Sequence, residues 1–200
     1  MKKWQLVIGM ICLFLLLTAC GNQYKAIEPN MDEEVADFNF TTQDNDSLSL
    51  DDLKGTWWIA DFIFTNCTSV CLPMTTNMSS LQDKLMEENI DIQLVSFTVD
   101  PDYDQPDVLK EYAAMYDADL SNWTFLTGYD FQTIRELSIK SFRSLVQAPE
   151  RKSDQVMHGT AFMLVTPEGQ IIKSYDGISP SGIDNIVEDL KTIKKINAGG

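Results

Sequence analysis

Apolar and polar positions change their period several times along the chain. Residues 38–40 and 47–50 alternate around Asp44-Asn45-Asp46, the pattern of a small hairpin. Residues 56–64 (TWWIADFIF) and 90–99 (IDIQLVSFTV) are aromatic and β-branched runs, which predict strands buried on both faces. Between them Met74, Met78, Leu81, Leu85 and Met86 recur at helical spacing and predict a helix over 74–88. Pro106 opens a predicted helix over 106–116. A short strand is expected at 123–126 and an amphipathic helix at 131–142. Residues 161–165 and 170–174 flank Thr166-Pro167-Glu168-Gly169, a strong turn signal, and predict a second hairpin. Ile183, Ile186, Val187, Leu190 and Ile193 form one face of a last helix, 181–196.

After the first hairpin the predicted order is β-α-β-α-β-α-β-β-α. Alternating strands and helices imply parallel strands with helices on both faces, and the C-terminal hairpin supplies an antiparallel edge. That is an α/β, thioredoxin-like order with an added N-terminal β-hairpin. Reactive groups in such sheets gather where strands end and helices begin.

The N-terminus reads as an address. Lys2 and Lys3 precede an almost unbroken apolar run over 6–17. A spanning helix takes about 20 residues, so this run fits the core of a secretory signal instead. Leu17-Thr18-Ala19-Cys20-Gly21 follows and resembles the lipobox of bacterial lipoproteins, which implies a diacylglycerol on Cys20. The expected organisation is a signal peptide over 1–19, a lipidated N-terminus and tether over 20–35, and a folded domain over 36–200. The expected location is the cell membrane, lipid-anchored, facing the extracytoplasmic side. Cys12 then leaves with the signal and Cys20 carries lipid. Cys67 and Cys71 remain, in a compartment where a nearby pair can oxidise. With 44% hydrophobic residues the chain can bury a core. Its net charge of −15 makes nucleic acid a poor partner.

Chemistry concentrates in two places. In Phe64-Thr65-Asn66-Cys67-Thr68-Ser69-Val70-Cys71, a buried strand ends, two cysteines follow and a helix begins. Backbone N–H groups at a helix start stabilise a thiolate, so the position suits redox chemistry or soft-metal binding. A disulfide across so small a loop adds little stability, which argues against a purely structural bridge. His158, the one histidine, stands just before the strand that opens the C-terminal hairpin. In thioredoxin-like folds the loop before that strand faces the cysteines and carries a cis-proline, yet no proline occurs from Asp154 to Val165. Two thiolates and an imidazole form a copper-type set that suits either oxidation state. Asp100, Asp102 and Asp104 follow a buried strand at the same sheet edge. They fit turn chemistry, a second shell that orients the histidine, or a charged face for a partner. Met74, Met78 and the Trp57-Trp58 pair read as core.

Taken together, FTNCTSVC, FTVDPDYDQPDVLKEYA and MHGTAFMLVTPEGQI resemble the Sco/SenC family of copper proteins involved in assembling cytochrome c oxidase. The resemblance covers roughly residues 36–195. It implies copper, as Cu(I) or Cu(II), on Cys67, Cys71 and His158. It also places Asp100 and Asp104 in the family's acidic motif. Thr68 and Leu72 stand where the family often has proline, and Asp154 lies four residues before the histidine rather than directly before it. The implied role is a monomeric carrier rather than a turnover enzyme, whose partner is the copper-bearing subunit of the oxidase. It would deliver copper or reduce that site's cysteines. The alternative is a thiol–disulfide oxidoreductase or redox-signalling protein that needs no metal.

Overall fold

The computed structural model describes residues 23–67, 71–151 and 153–199. The signal sequence and Cys20 lie outside them. In chain order the elements are β1 (Glu33–Glu34), β2 (Asn39–Thr42), β3 (Ser47–Ser49), β4 (Trp58–Ile63), α1 (Cys71–Glu87), β5 (Gln93–Thr98) and α2 (Pro106–Met115). There follow β6 (Trp123–Thr127), α3 (Phe131–Lys140), β7 (Val146–Gln147), β8 (Met157–His158), β9 (Ala161–Val165), β10 (Gln170–Asp176) and α4 (Pro180–Gly199).

One sheet carries the strands in the order β1-β10-β9-β4-β5-β6-β2-β3. Its centre, β4-β5-β6, is parallel, because α1 and α2 each return the chain to the starting edge. β9 joins β4 antiparallel, and β10 folds back on β9 around the Pro167-Glu168-Gly169 turn. The N-terminal hairpin β2-β3 lies on the other side, beside β6.

The alternation within β4 explains the layering. Ile59 and Ile63 face a core with Met74, Met78, Leu81 and Leu85 of α1, Leu109 of α2, and Ile186 and Leu190 of α4. Trp58, Ala60 and Phe62 face the opposite core, with Phe97, Phe142, and Ile134 and Leu137 of α3. Helices therefore cover both faces, and every residue of β4 is buried. Met74 and Met78 are fully buried, as is Trp58, in keeping with the core reading, while Trp57 is half-buried and packs against the first core.

Three features depart from expectation. α1 begins at Cys71 rather than near 74. Pro73 is tolerated in the first turn, where backbone N–H groups have no partner within the helix. The expected tether is folded onto the domain over its described part. Ile27 and Val35 are buried in the two cores, and β1 pairs with β10. Apolar side chains at those two positions gain more from packing than from solvent. Finally, β7 and β8 form a separate two-stranded ladder, with Val146 opposite His158.

Candidate functional site

The site is built at the C-terminal edge of β4. There the chain leaves the sheet at Phe64, runs through Thr65-Asn66-Cys67, and re-enters regular structure at Cys71, the first residue of α1. Residues 68–70 between the cysteines lie outside the described residues. Cys67 is half-buried and packs against the core that holds Phe64 and Val156.

His158 comes to this edge from the other direction. Its side chain is 8% exposed, and its ring meets Phe64 edge-on at 5.7 Å between centroids. Nδ1 and the Gly159 carbonyl oxygen are 2.9 Å apart. A carbonyl only accepts, so Nδ1 is the donor in this contact, which leaves Nε2 as the lone-pair atom of a neutral ring, the form in which imidazole ligates a metal. Gly159 allows β8 to lie close to its neighbour, since a Cβ there would meet Ser144 Oγ at 2.4 Å. Met157, the alternate residue of β8, points outward and is 55% exposed, away from the face of His158.

The cysteine loop and the histidine loop are joined directly. Asn66 Nδ2 donates to Asp154 Oδ2 at 2.8 Å. Gln155 Nε2 donates to the Asn66 carbonyl and to Asp154 Oδ1, both at 2.9 Å. The Gln155 amide, the backbone N–H of Asp154 itself and the Asn66 amide together hold the Asp154 carboxyl below its ordinary range.

Asp104 is fully buried, and its carboxylate gathers donors from the loop after β4 and from the end of β5. It accepts from Thr65 N at 3.1 Å, from Thr65 Oγ1 at 2.5 Å, and from Thr98 Oγ1. Burial pushes its carboxyl up, against the opposing pull of Thr65 and Thr98. Of the roles expected for Asp104, neither orienting the histidine nor facing a partner fits these bonds: the side chain holds the loop that leads to Cys67. Asp100 serves the turn. Its carbonyl accepts from the N–H groups of Tyr103 and Asp104, while burial and the nearby Asp102 charge raise its carboxyl. Among the described residues no group of three His, Cys, Asp or Glu side chains stands in metal-holding array, and no helix is long and apolar enough to cross a membrane.

A family model described as SCO1/SenC matches residues 27–195. The chain belongs to this family. It is 46% identical over 187 residues to the SCO1 protein homolog of Bacillus subtilis, covering 94% of both chains. A crystal structure of a SCO1/SenC family lipoprotein from Bacillus anthracis is 44% identical with a TM-score of 0.79, over 84% of this chain and 98% of that one. BsSco, a member of the Sco family of cytochrome c oxidase assembly proteins in which a disulfide switch was identified, is 45% identical. Its TM-score is 0.76, with 84% of this chain and 96% of that one covered. Yeast Sco1 with copper bound is more distant, at 27% identity and a TM-score of 0.64, over 80% and 89%. The thioredoxin-like fold expected from the order of elements is the fold of these Sco structures.

Two parts of this Sco site escape a reading by motif. The contacts of Asn66 with Asp154 and Gln155 span 88 and 89 residues, and no local pattern announces them. Asp61, in the middle of β4, is fully buried, accepts from Ser96 Oγ at 2.6 Å, and has no partner for Oδ2 among the described residues. Its signal was available: one carboxylate inside the apolar run TWWIADFIF.

Proposed function

We propose that the chain is an extracytoplasmic copper-binding protein, held at the membrane by lipid on Cys20, that serves the assembly of the dinuclear copper site of cytochrome c oxidase. Residues 1–19 are its signal peptide in this reading, and the folded domain, with the packed segment from Ile27 onward, carries the metal site. Cys67, Cys71 and His158 are the ligands. One observation carries the assignment: His158, distant in sequence, is brought to the cysteine edge of β4 with Nδ1 turned to the Gly159 carbonyl, which leaves Nε2 as the ring's ligating atom. Two thiolates and a neutral imidazole are a donor set for copper in either oxidation state. The copper-bound yeast relative and the oxidase-assembly role of the Sco family support copper and the partner. The lipoprotein relative supports the anchor.

Copper here is cargo. The helix start at Cys71 stabilises the thiolates, while Asp104 holds Thr65 and so the entry to Cys67. Exchange with a partner disulfide would convert the two thiols to a disulfide and the partner to a dithiol, and would remove two of three donors. Thiol reduction of the oxidase site is therefore a second task of the same residues, favoured by the disulfide switch of the BsSco relative. The test is copper titration of the reduced protein. Wild type should bind one copper, with each of Cys67→Ala, Cys71→Ala and His158→Ala weakening it and thiolate loss weakening it most. Unchanged affinity and spectrum in His158→Ala would remove the imidazole from the set.

A further inference from the structure

β8 is poorly secured by its own backbone. Among the described residues its two residues pair only with β7, in a ladder apart from the main sheet. A ladder of this size is marginal alone. The Gly159 N–H reaches the Leu145 carbonyl, and the chain joins the main sheet only at Ala161, three residues past His158. The other side of His158 leads back within four residues to Asp154. There the side chains of Asp154 and Gln155 are bonded to Asn66, the residue before Cys67.

We propose that Asn66, Asp154 and Gln155 form a clasp that positions His158 against Cys67 before any metal arrives. The inference rests on the copper reading above for its role and on the hydrogen-bond geometry for its existence. Two hydrogen bonds tie the clasp's two sides, and a third joins Gln155 to Asp154 within one of them. The Asp154 carboxylate accepts from both amides, and the Gln155 amide also caps the Asn66 carbonyl, so backbone as well as side chain is held. Val156, the residue between Gln155 and β8, is buried, so the chain from the clasp to His158 is short and packed at its middle. These are positioning residues. They lend no donor to the metal and set the distance over which His158 must move to reach it. Asp154 thereby acquires a task suited to its place four residues upstream, where it faces the cysteine loop rather than the imidazole.

The experiment uses the mature protein in detergent, reduced, with Gln155→Ala and Asn66→Ala. Both residues are only partly buried, so the fold should survive. Without metal, amide exchange at residues 156–160 should quicken in both variants while β4 and β5 stay protected. Cu(I) affinity, read in competition with a chromophoric chelator, should fall about tenfold, as for loss of an outer-shell partner. In a His158→Ala background the same substitutions should change affinity no further. Asp154→Asn, which keeps one acceptor oxygen, should fall between wild type and Gln155→Ala. Unchanged exchange at 156–160 would overturn the clasp whatever copper does. An equal loss of affinity in the presence and absence of His158 would overturn its positioning role while leaving the ligand set intact. No effect of His158→Ala itself would sink the ligand reading, and the exchange data would then decide the clasp alone.

Discussion

Asp61→Asn should make the protein more stable at neutral and alkaline pH, and the gain should grow with pH. Asp61 shares the α1-facing side of β4 with Ile59 and Ile63, opposite Ser96 of β5. Ser96 Oγ donates to Oδ1 and accepts from Trp123 Nε1 at 2.9 Å, while Oδ2 is unpartnered among the described residues. Burial pushes the carboxyl from 3.8 to about 7, against the opposing pull of the Ser96 hydrogen bond and of His158. The folded state thus holds the proton more tightly than the unfolded chain. Stability from the neutral carboxyl is complete below pH 3.8 and is lost as pH rises toward 7. At about 1.4 kcal/mol per pH unit, the full loss is roughly 4 kcal/mol, of which roughly 2–3 falls between pH 5 and pH 8. Asparagine keeps an acceptor for Ser96 and has no charge to bury. Urea denaturation of both proteins at pH 5 and pH 8 isolates the term, because any fixed cost of the new amide cancels between the two pH values. The variant should gain roughly 2–3 kcal/mol on wild type over that interval, on the order of 5–10 °C in Tm for a domain of this size. Parallel pH dependence in the two proteins would refute the buried, proton-holding carboxyl.

Asp104→Ala strands the N–H and hydroxyl of Thr65 and the hydroxyl of Thr98. Losing so buried an acceptor should cost roughly 3 kcal/mol by denaturant titration, with faster amide exchange at Thr65. A stability change under about 0.5 kcal/mol, of the size seen at surface sites, would show that Asp104 is not the anchor of the cysteine loop. Cys20→Ala should abolish diacylglycerol on the N-terminal fragment by mass spectrometry and block normal processing. Wild type cut at residue 20 but lacking lipid would contradict the anchor. Copper affinity of the reduced protein should fall at acid pH, as protons compete for two thiolates and the imidazole; a flat profile from pH 5 to 8 would argue for carboxylate ligands instead.

The layers of the fold were legible because their signals are long. The runs at 56–64 and 90–99 and the helical spacing of Met74, Met78, Leu81 and Leu85 leave little choice of face. Two-residue strands carry no periodicity, so β1, β7 and β8 stayed hidden, and with them the packing of Ile27 and Val35. At the site, residue types and the strand-to-helix position of the cysteines pointed to the C-terminal edge of β4, the edge to which the fold also brings His158. How the edge is held was not legible. The carboxylate of Asp104 reaches 39 residues back to Thr65, and Asn66 reaches 88 residues forward, through side-chain hydrogen bonds that depend on the finished fold.

The central claim is a copper site that exists only when both cysteines are reduced and the fold is intact. Paired thermal melts of the reduced and oxidised mature protein, with and without copper, address it most directly. Binding to the folded state alone stabilises it by about 4 kcal/mol at a thousandfold excess over Kd. The reduced protein should therefore shift upward by roughly 10 °C, and the oxidised protein should not shift, its sulfurs being bonded to each other. An equal copper shift in both redox forms would place the ion away from Cys67 and Cys71 and contradict the account.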